Sequence, residues 1–184
     1  MSRFLWERFT ADGQLNSEFN TGGVLAALRR GRNQEPGRAP ELWQYYTQLN
    51  DRGALTRAVR AEHTCLVTYG VHQQGVTYPA HVPDVELGRT LAALRNSGKF
   101  STEAVDRHVT QLATADQWPE LSHHLMALVN LMKATKRPSG FNYTRLFHDL
   151  VDLHDESRAS RVRRRWGAEY FAPSTENNER KEGE

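Results

Sequence analysis

The chain has a single cysteine among 184 residues, Cys65, so it cannot close an intrachain disulfide. It has no apolar run approaching the roughly 18 residues that mark a membrane-spanning helix. Its first residues, Met1 to Phe9, are interrupted by Arg3, Glu7 and Arg8 and lack the apolar centre of a signal peptide. These absences lead us to expect a cytoplasmic protein. Also missing are a glycine-rich phosphate loop, a nucleophile elbow, zinc-ligand spacing and a paired-carboxylate motif, so no enzymatic activity is expected. Cys65 lies among Leu66, Val67 and Tyr69, the setting of a buried structural thiol. The densest group of possible metal ligands is His148 and Asp149 with Asp152, His154 and Asp155. His148 and Asp152 share a helix face, but His154 points elsewhere, and a helical metal site usually repeats its ligand pair on a second helix. Neither a metal nor a cofactor is expected. His123 and His124 are adjacent and cannot face one site on a helix, and His72 is expected to close a helix as a cap.

What the chain does have is arginine in particular places. The net charge is only +2, so position matters more than total. Arg158, Arg161, Arg163, Arg164 and Arg165 crowd one stretch in which no acid intervenes. At about 100° per residue, Ala159, Val162, Trp166 and Tyr170 form the apolar stripe of a helix. Arg158, Arg161, Arg164 and Arg165 fall opposite that stripe, and Arg163 flanks it. A helix anchored by aromatics and presenting guanidinium forks to water suits a phosphate backbone. A second basic cluster, Arg29, Arg30, Arg32 and Arg38, faces only Glu35. From Ser174 to Glu184 there is no apolar residue, and glutamates accumulate, which reads as a disordered acidic tail.

The pattern between these landmarks is helical. We expect helices near residues 2–11 (Phe4, Leu5, Phe9), from a Thr21 cap to Gly31 (Val24, Leu25, Leu28), near 41–50 and near 54–73. Loops rich in proline and glycine cover 32–40 and 75–84. Further helices carry Leu87, Leu91 and Leu94 up to the stop Asn96-Ser97-Gly98, then run from a Ser101 cap, from Pro119 to Lys133, and from Tyr143 to Leu153. No run alternates long enough to demand a sheet. The expected fold is all-α, two small helical bundles joined end to end, 1–98 and 99–172, followed by a disordered acidic tail over 173–184.

Several segments, in order, resemble one family. Gly22-Gly23-Val24-Leu25-Ala26-Ala27-Leu28-Arg29-Arg30-Gly31 is similar to the "AALRRG" opening of the CasB family, and the helix ending His72-Gln73-Gln74 to its "HQQ". Glu86 to Leu91, Asp106-Arg107-His108, Asn142 to Leu150, and Arg165-Trp166-Gly167-Ala168-Glu169-Tyr170-Phe171 match later landmarks across residues 22–171. These proteins are small, non-enzymatic subunits of the type I-E CRISPR interference complex, Cascade. The resemblance implies two helical bundles, and two copies lying head to tail beside the backbone and large subunits. It also implies contact with guide RNA, target DNA and the displaced non-target single-stranded DNA. Guide pairing then supplies sequence recognition, and protein contacts to the backbone tip a nearly balanced strand exchange. The candidate nucleic-acid-binding residues are Arg29, Arg30, Arg32, Arg107, Lys136, Arg137, Arg158, Arg161, Arg164 and Arg165. His108 and the pair His123-His124 stand where relatives often carry arginine, which would weaken the middle of a basic track at neutral pH. The alternative is a helical protein–protein scaffold whose basic faces meet acidic partners.

Overall fold

Apolar residues three and four apart recur along most of the chain, and it folds into packed helices. The computed structural model describes residues 3–11, 13–16, 22–135 and 139–172. Their order is α1 (Leu5–Arg8), β1 (Thr10–Ala11), β2 (Gln14–Leu15), α2 (Gly22–Arg30), α3 (Arg57–Gln73), α4 (Leu87–Arg95), α5 (Thr102–Thr114), α6 (Trp118–Lys133), α7 (Tyr143–Leu153) and α8 (Glu156–Tyr170). Tight 3-10 turns occupy Gly31–Asn33 and Pro40–Tyr45. The protein is all-α; among the described residues the β structure is the two-residue antiparallel pairing of β1 with β2 and an isolated bridge between His81 and Phe141. Among the described residues no helix is long and apolar enough to cross a membrane. The expected Thr21 cap, the candidate residues Lys136 and Arg137, and the tail from 173 lie outside the described residues.

The central helix is α3, which packs on α2, α6 and α7. Thr56 caps it by accepting the Val59 N–H. Gly70 sets its crossing with α2: a Cβ there would stand 2.5 Å from the Cβ of Leu28. One apolar cluster runs from Leu28, Leu66 and Tyr69 through Leu125 and Leu150 to Trp166. It crosses the expected boundary at Gly98, because α4, which precedes that residue, packs on α8.

Three local expectations need correction. The opening helix ends at Arg8 rather than near residue 11, since the chain turns back so that the Asn16 N–H donates to the Phe9 carbonyl (2.8 Å). Trp6, absent from the expected apolar set, is fully buried and donates its Nε1–H to the Thr144 hydroxyl of α7 (2.9 Å). The helix expected over 41–50 is only the 3-10 turn Pro40–Tyr45, because the N–H groups that would continue it bond a side chain. Thr47 and Gln48 donate to the Glu62 carboxylate at 2.7 and 2.9 Å, and the Thr47 hydroxyl adds a third bond at 2.8 Å. The stop expected at Gly31 is where α2 ends. Gly31 is small because a Cβ would collide with Leu42 Cδ1, and the chain tightens there into a 3-10 turn.

His72 is the third. It does not cap α3; it is fully buried and bonds the Tyr143 hydroxyl through Nδ1 at 3.0 Å. Lys133 satisfies the end of α3 instead, donating to the carbonyls of Val71 (2.5 Å) and Gln74 (2.8 Å). Beside it, the buried Gln73 amide accepts the Ala80 N–H and donates to the Tyr78 carbonyl, pinning the 75–84 loop. The His72-Gln73 segment is therefore core architecture.

Candidate nucleic-acid interface

The last helix buries Ala159, Val162, Trp166 and Tyr170, the four residues of the apolar stripe. Asp155 opens it as N-cap, accepting the Ser157 N–H at 3.1 Å. The side chains of Arg158 and Ser157 bond the Asp155 carboxyl and hold it well below the usual carboxylate range. The arginine run, free of acids in sequence, finds acids in space. Arg158 pairs with Asp152 (2.9 Å) and Asp155 (3.0 Å), and Arg161 reaches Asp152 at 3.5 Å. Arg163 pairs with Asp116 at 2.8 Å and donates to the Ala113 carbonyl, tying α8 to the α5–α6 turn. Arg165 turns inward to the buried carboxylate of Asp149, which also accepts the Trp166 indole N–H at 2.7 Å and lies 3.6 Å from Arg145. Arg164 is exposed and makes no ion pair with any described carboxylate.

A different arrangement emerges where the 3-10 turn Gly31–Asn33, α3 and α6 meet. They enclose a cleft of about 620 Å³, lined among others by Arg32, Arg60, Trp118, His123 and Asn130. Its outer wall is held in place by buried polar bonds. The Tyr46 hydroxyl bonds His63 Nδ1 at 2.6 Å and accepts the Gly37 N–H, and Glu62 grips the next two residues. Burial pushes the Tyr46 phenol up to about 12 and Glu62 above the ordinary carboxyl range, and it lowers His63. At the floor, the Trp118 ring stacks on His154, with centroids 4.0 Å apart. Burial pushes the His154 imidazole below its ordinary range and Arg57 adds to that effect; Asp116 opposes it, ahead of the smaller contributions of Arg60 and Arg163. Arg57 and Arg60 of α3 thus lie near the Trp118 end of the cleft, where Arg163 of α8 is paired with Asp116. Neither Arg32 nor Arg60 forms an ion pair with a described carboxylate, and Glu35 at the rim is turned to Arg38 (3.4 Å).

Of the sequence candidates, Arg32 lies in this cleft and Arg29 and Arg30 are on the helix leading to it. Arg30 is paired with Glu41 at 3.5 Å, and the influence of Arg29 reaches Lys133, whose ammonium is lowered first by burial and then by that charge. Arg107 is exposed on α5, whereas its neighbour Asp106 is bonded to Arg95 (2.8 Å) and to the Tyr170 hydroxyl. The histidines separate: His123 lines the cleft, His124 faces Glu120 at 3.8 Å, and His108 is half-buried. His148 is exposed while Asp149 is buried, and no group of three His, Cys, Asp or Glu side chains among the described residues is placed to hold a metal. Arg57, Arg60 and Trp118 escaped the sequence reading. The pair Arg57 and Arg60, three apart at the start of α3, was the signal available.

The fold and this cleft define a class: a small all-helical protein whose exposed chemistry is guanidinium and aromatic. The family model of the CRISPR-associated protein Cse2 matches residues 24–171, and the chain belongs to that family. No curated protein matches it. The fold is similar to a Cse2-family protein of Thermus thermophilus (23% identity over 82% of this chain and 86% of that one, TM-score 0.62). It is also similar to CasB from Thermobifida fusca (23%, 82% and 84%, 0.62) and to M. ruber CasB (17%, 90% and 92%, 0.65).

Proposed function

We propose that this chain is a non-catalytic small subunit of a type I-E Cascade complex, in which its basic faces hold nucleic acid and stabilise the displaced non-target strand of the R-loop. The observation that carries this reading is the cleft in which neither Arg32 nor Arg60 pairs with a described carboxylate, on a chain of the Cse2 family. A displaced strand needs charge spread along a path, and Arg57 and Arg60 supply it at one end of the cleft. Arg164 and Arg107 are exposed and pair with no described carboxylate, and they offer further charge. Backbone and large subunits, a second copy of the chain, guide RNA and target DNA are the proposed partners. Co-expression with the backbone and large subunits tests this. The chain should co-purify with a guide RNA, and its removal should shorten R-loop lifetime; an unchanged lifetime counts against the reading. A helical scaffold is the second reading, favoured by the exposed Trp43, Leu49 and Leu55. It requires Arg→Glu changes to leave nucleic-acid binding unaltered.

A further inference from the structure

A path of positive charge holds a strand by its phosphates alone, yet the cleft contains more than charge. Its lining includes Trp118, whose indole is braced on one face by the His154 ring at 4.0 Å. A braced ring does not need to be ordered when a second flat group stacks on it, so most of the entropic cost of forming such a platform is met in advance. Asn130 and His123 add hydrogen-bonding groups in the same cleft. Its volume, about 620 Å³, lies in the range of small-molecule sites, which is ample for one nucleoside with its phosphate.

We propose that this cleft takes one unpaired nucleotide of a single strand, with Arg32 and Arg60 holding its phosphate and Trp118 stacking its base. The inference rests on the nucleic-acid reading above and adds a dependence on the base that a backbone track lacks. An acidic peptide would satisfy the two guanidinium groups but would leave the indole without a flat partner.

The full chain should be titrated by fluorescence anisotropy with a dT 12-mer and with a fully abasic 12-mer of equal charge. The thymidine strand should bind about 5- to 160-fold more tightly, the range for stacking one base on an aromatic side chain. Trp118→Leu should reduce that preference below twofold, and Trp118→Phe, which keeps a ring, should retain most of it. Circular dichroism and thermal melts confirm that both variants fold. The double variant Arg32→Ala with Arg60→Ala should weaken both strands and lower the slope of log K against log salt by about 0.7, one phosphate's worth. Equal binding of the two strands overturns the nucleotide site and leaves the backbone reading standing. Binding of neither strand overturns both. A preference that survives Trp118→Leu places the base elsewhere and refutes this site. Poly-glutamate that binds more tightly than either strand, and is lost in the double variant, makes the occupant an acidic protein segment instead.

Discussion

Removing the Asp149 carboxylate should be among the most damaging single changes in this protein, although the residue does not line the cleft. Asp149 is 3% exposed and joins α7 to α8, bonding Arg165 and the Trp166 indole and lying 3.6 Å from Arg145. In Asp149→Leu, the buried Trp166 N–H loses its acceptor, at about 1–3 kcal/mol. Arg165, one quarter exposed, loses its inward partner. Breaking a buried pair from one side costs about 3–5 kcal/mol, and partial exposure together with Glu169 at 3.3 Å keeps Arg165 toward the lower figure. A net loss of about 4 kcal/mol corresponds to roughly 8–16 °C in Tm for a chain of this size. Urea and thermal denaturation followed by circular dichroism measure it. The double variant Asp149→Leu with Arg165→Met should recover about 1 kcal/mol or more, since it leaves no guanidinium stranded. Trp166→Ala should cost about 3–5 kcal/mol through the cavity alone. If Asp149→Leu lies within about 0.5 kcal/mol of the parent, the α7–α8 joint is not held as described.

Acid should destabilise the protein early. His72 and His81 are buried, and burial lowers each imidazole to about 4. His81 Nδ1 accepts the Tyr143 N–H at 3.1 Å, a bond that protonation of that nitrogen abolishes. Unfolded chains therefore bind protons that the folded state refuses between about pH 6.5 and 4, so stability is full above that window and falls through it, by about 2 kcal/mol per histidine at pH 5. Glu62, raised by burial, acts with the opposite sign and offsets part of the loss, and a urea midpoint that does not fall between pH 7.5 and 5 refutes the account. Glu62→Gln replaces an acceptor of three bonds with an amide whose NH2 faces N–H donors, and should cost about 1–3 kcal/mol in urea unfolding. Arg161→Ala and Arg164→Ala, both exposed, should each change stability by less than about 0.5 kcal/mol while weakening strand binding at low salt. Large losses of stability in both would mean that the outer face of α8 is structural.

The helical periodicity was legible because it is a local property. The bounds of α7, the Ser101 cap of α5 and the buried stripe of α8 follow from spacing and capping chemistry alone. What failed was the inference from silence. An acid-free run of arginines suggests unpaired charge only if no other segment brings acids to it. Here Asp149 and Asp152 from the helix before, Asp155 at the cap and Asp116 from the α5–α6 turn do so. The same helix thus divides its arginines between joint and surface, and position on the wheel does not sort them. Arg165 was grouped with the outward face and turned inward, because a carboxylate already fixed against the Trp166 indole lies within reach of its long side chain. The converse holds at the cleft. Arg60 precedes Glu62 by two residues on α3, a spacing that places the two side chains on different helix faces. In space Glu62 points to Thr47 and Gln48, and Arg60 is left to the cleft. Charge on a helix is therefore assigned by what packs across from each face, and that depends on contacts far apart in the chain.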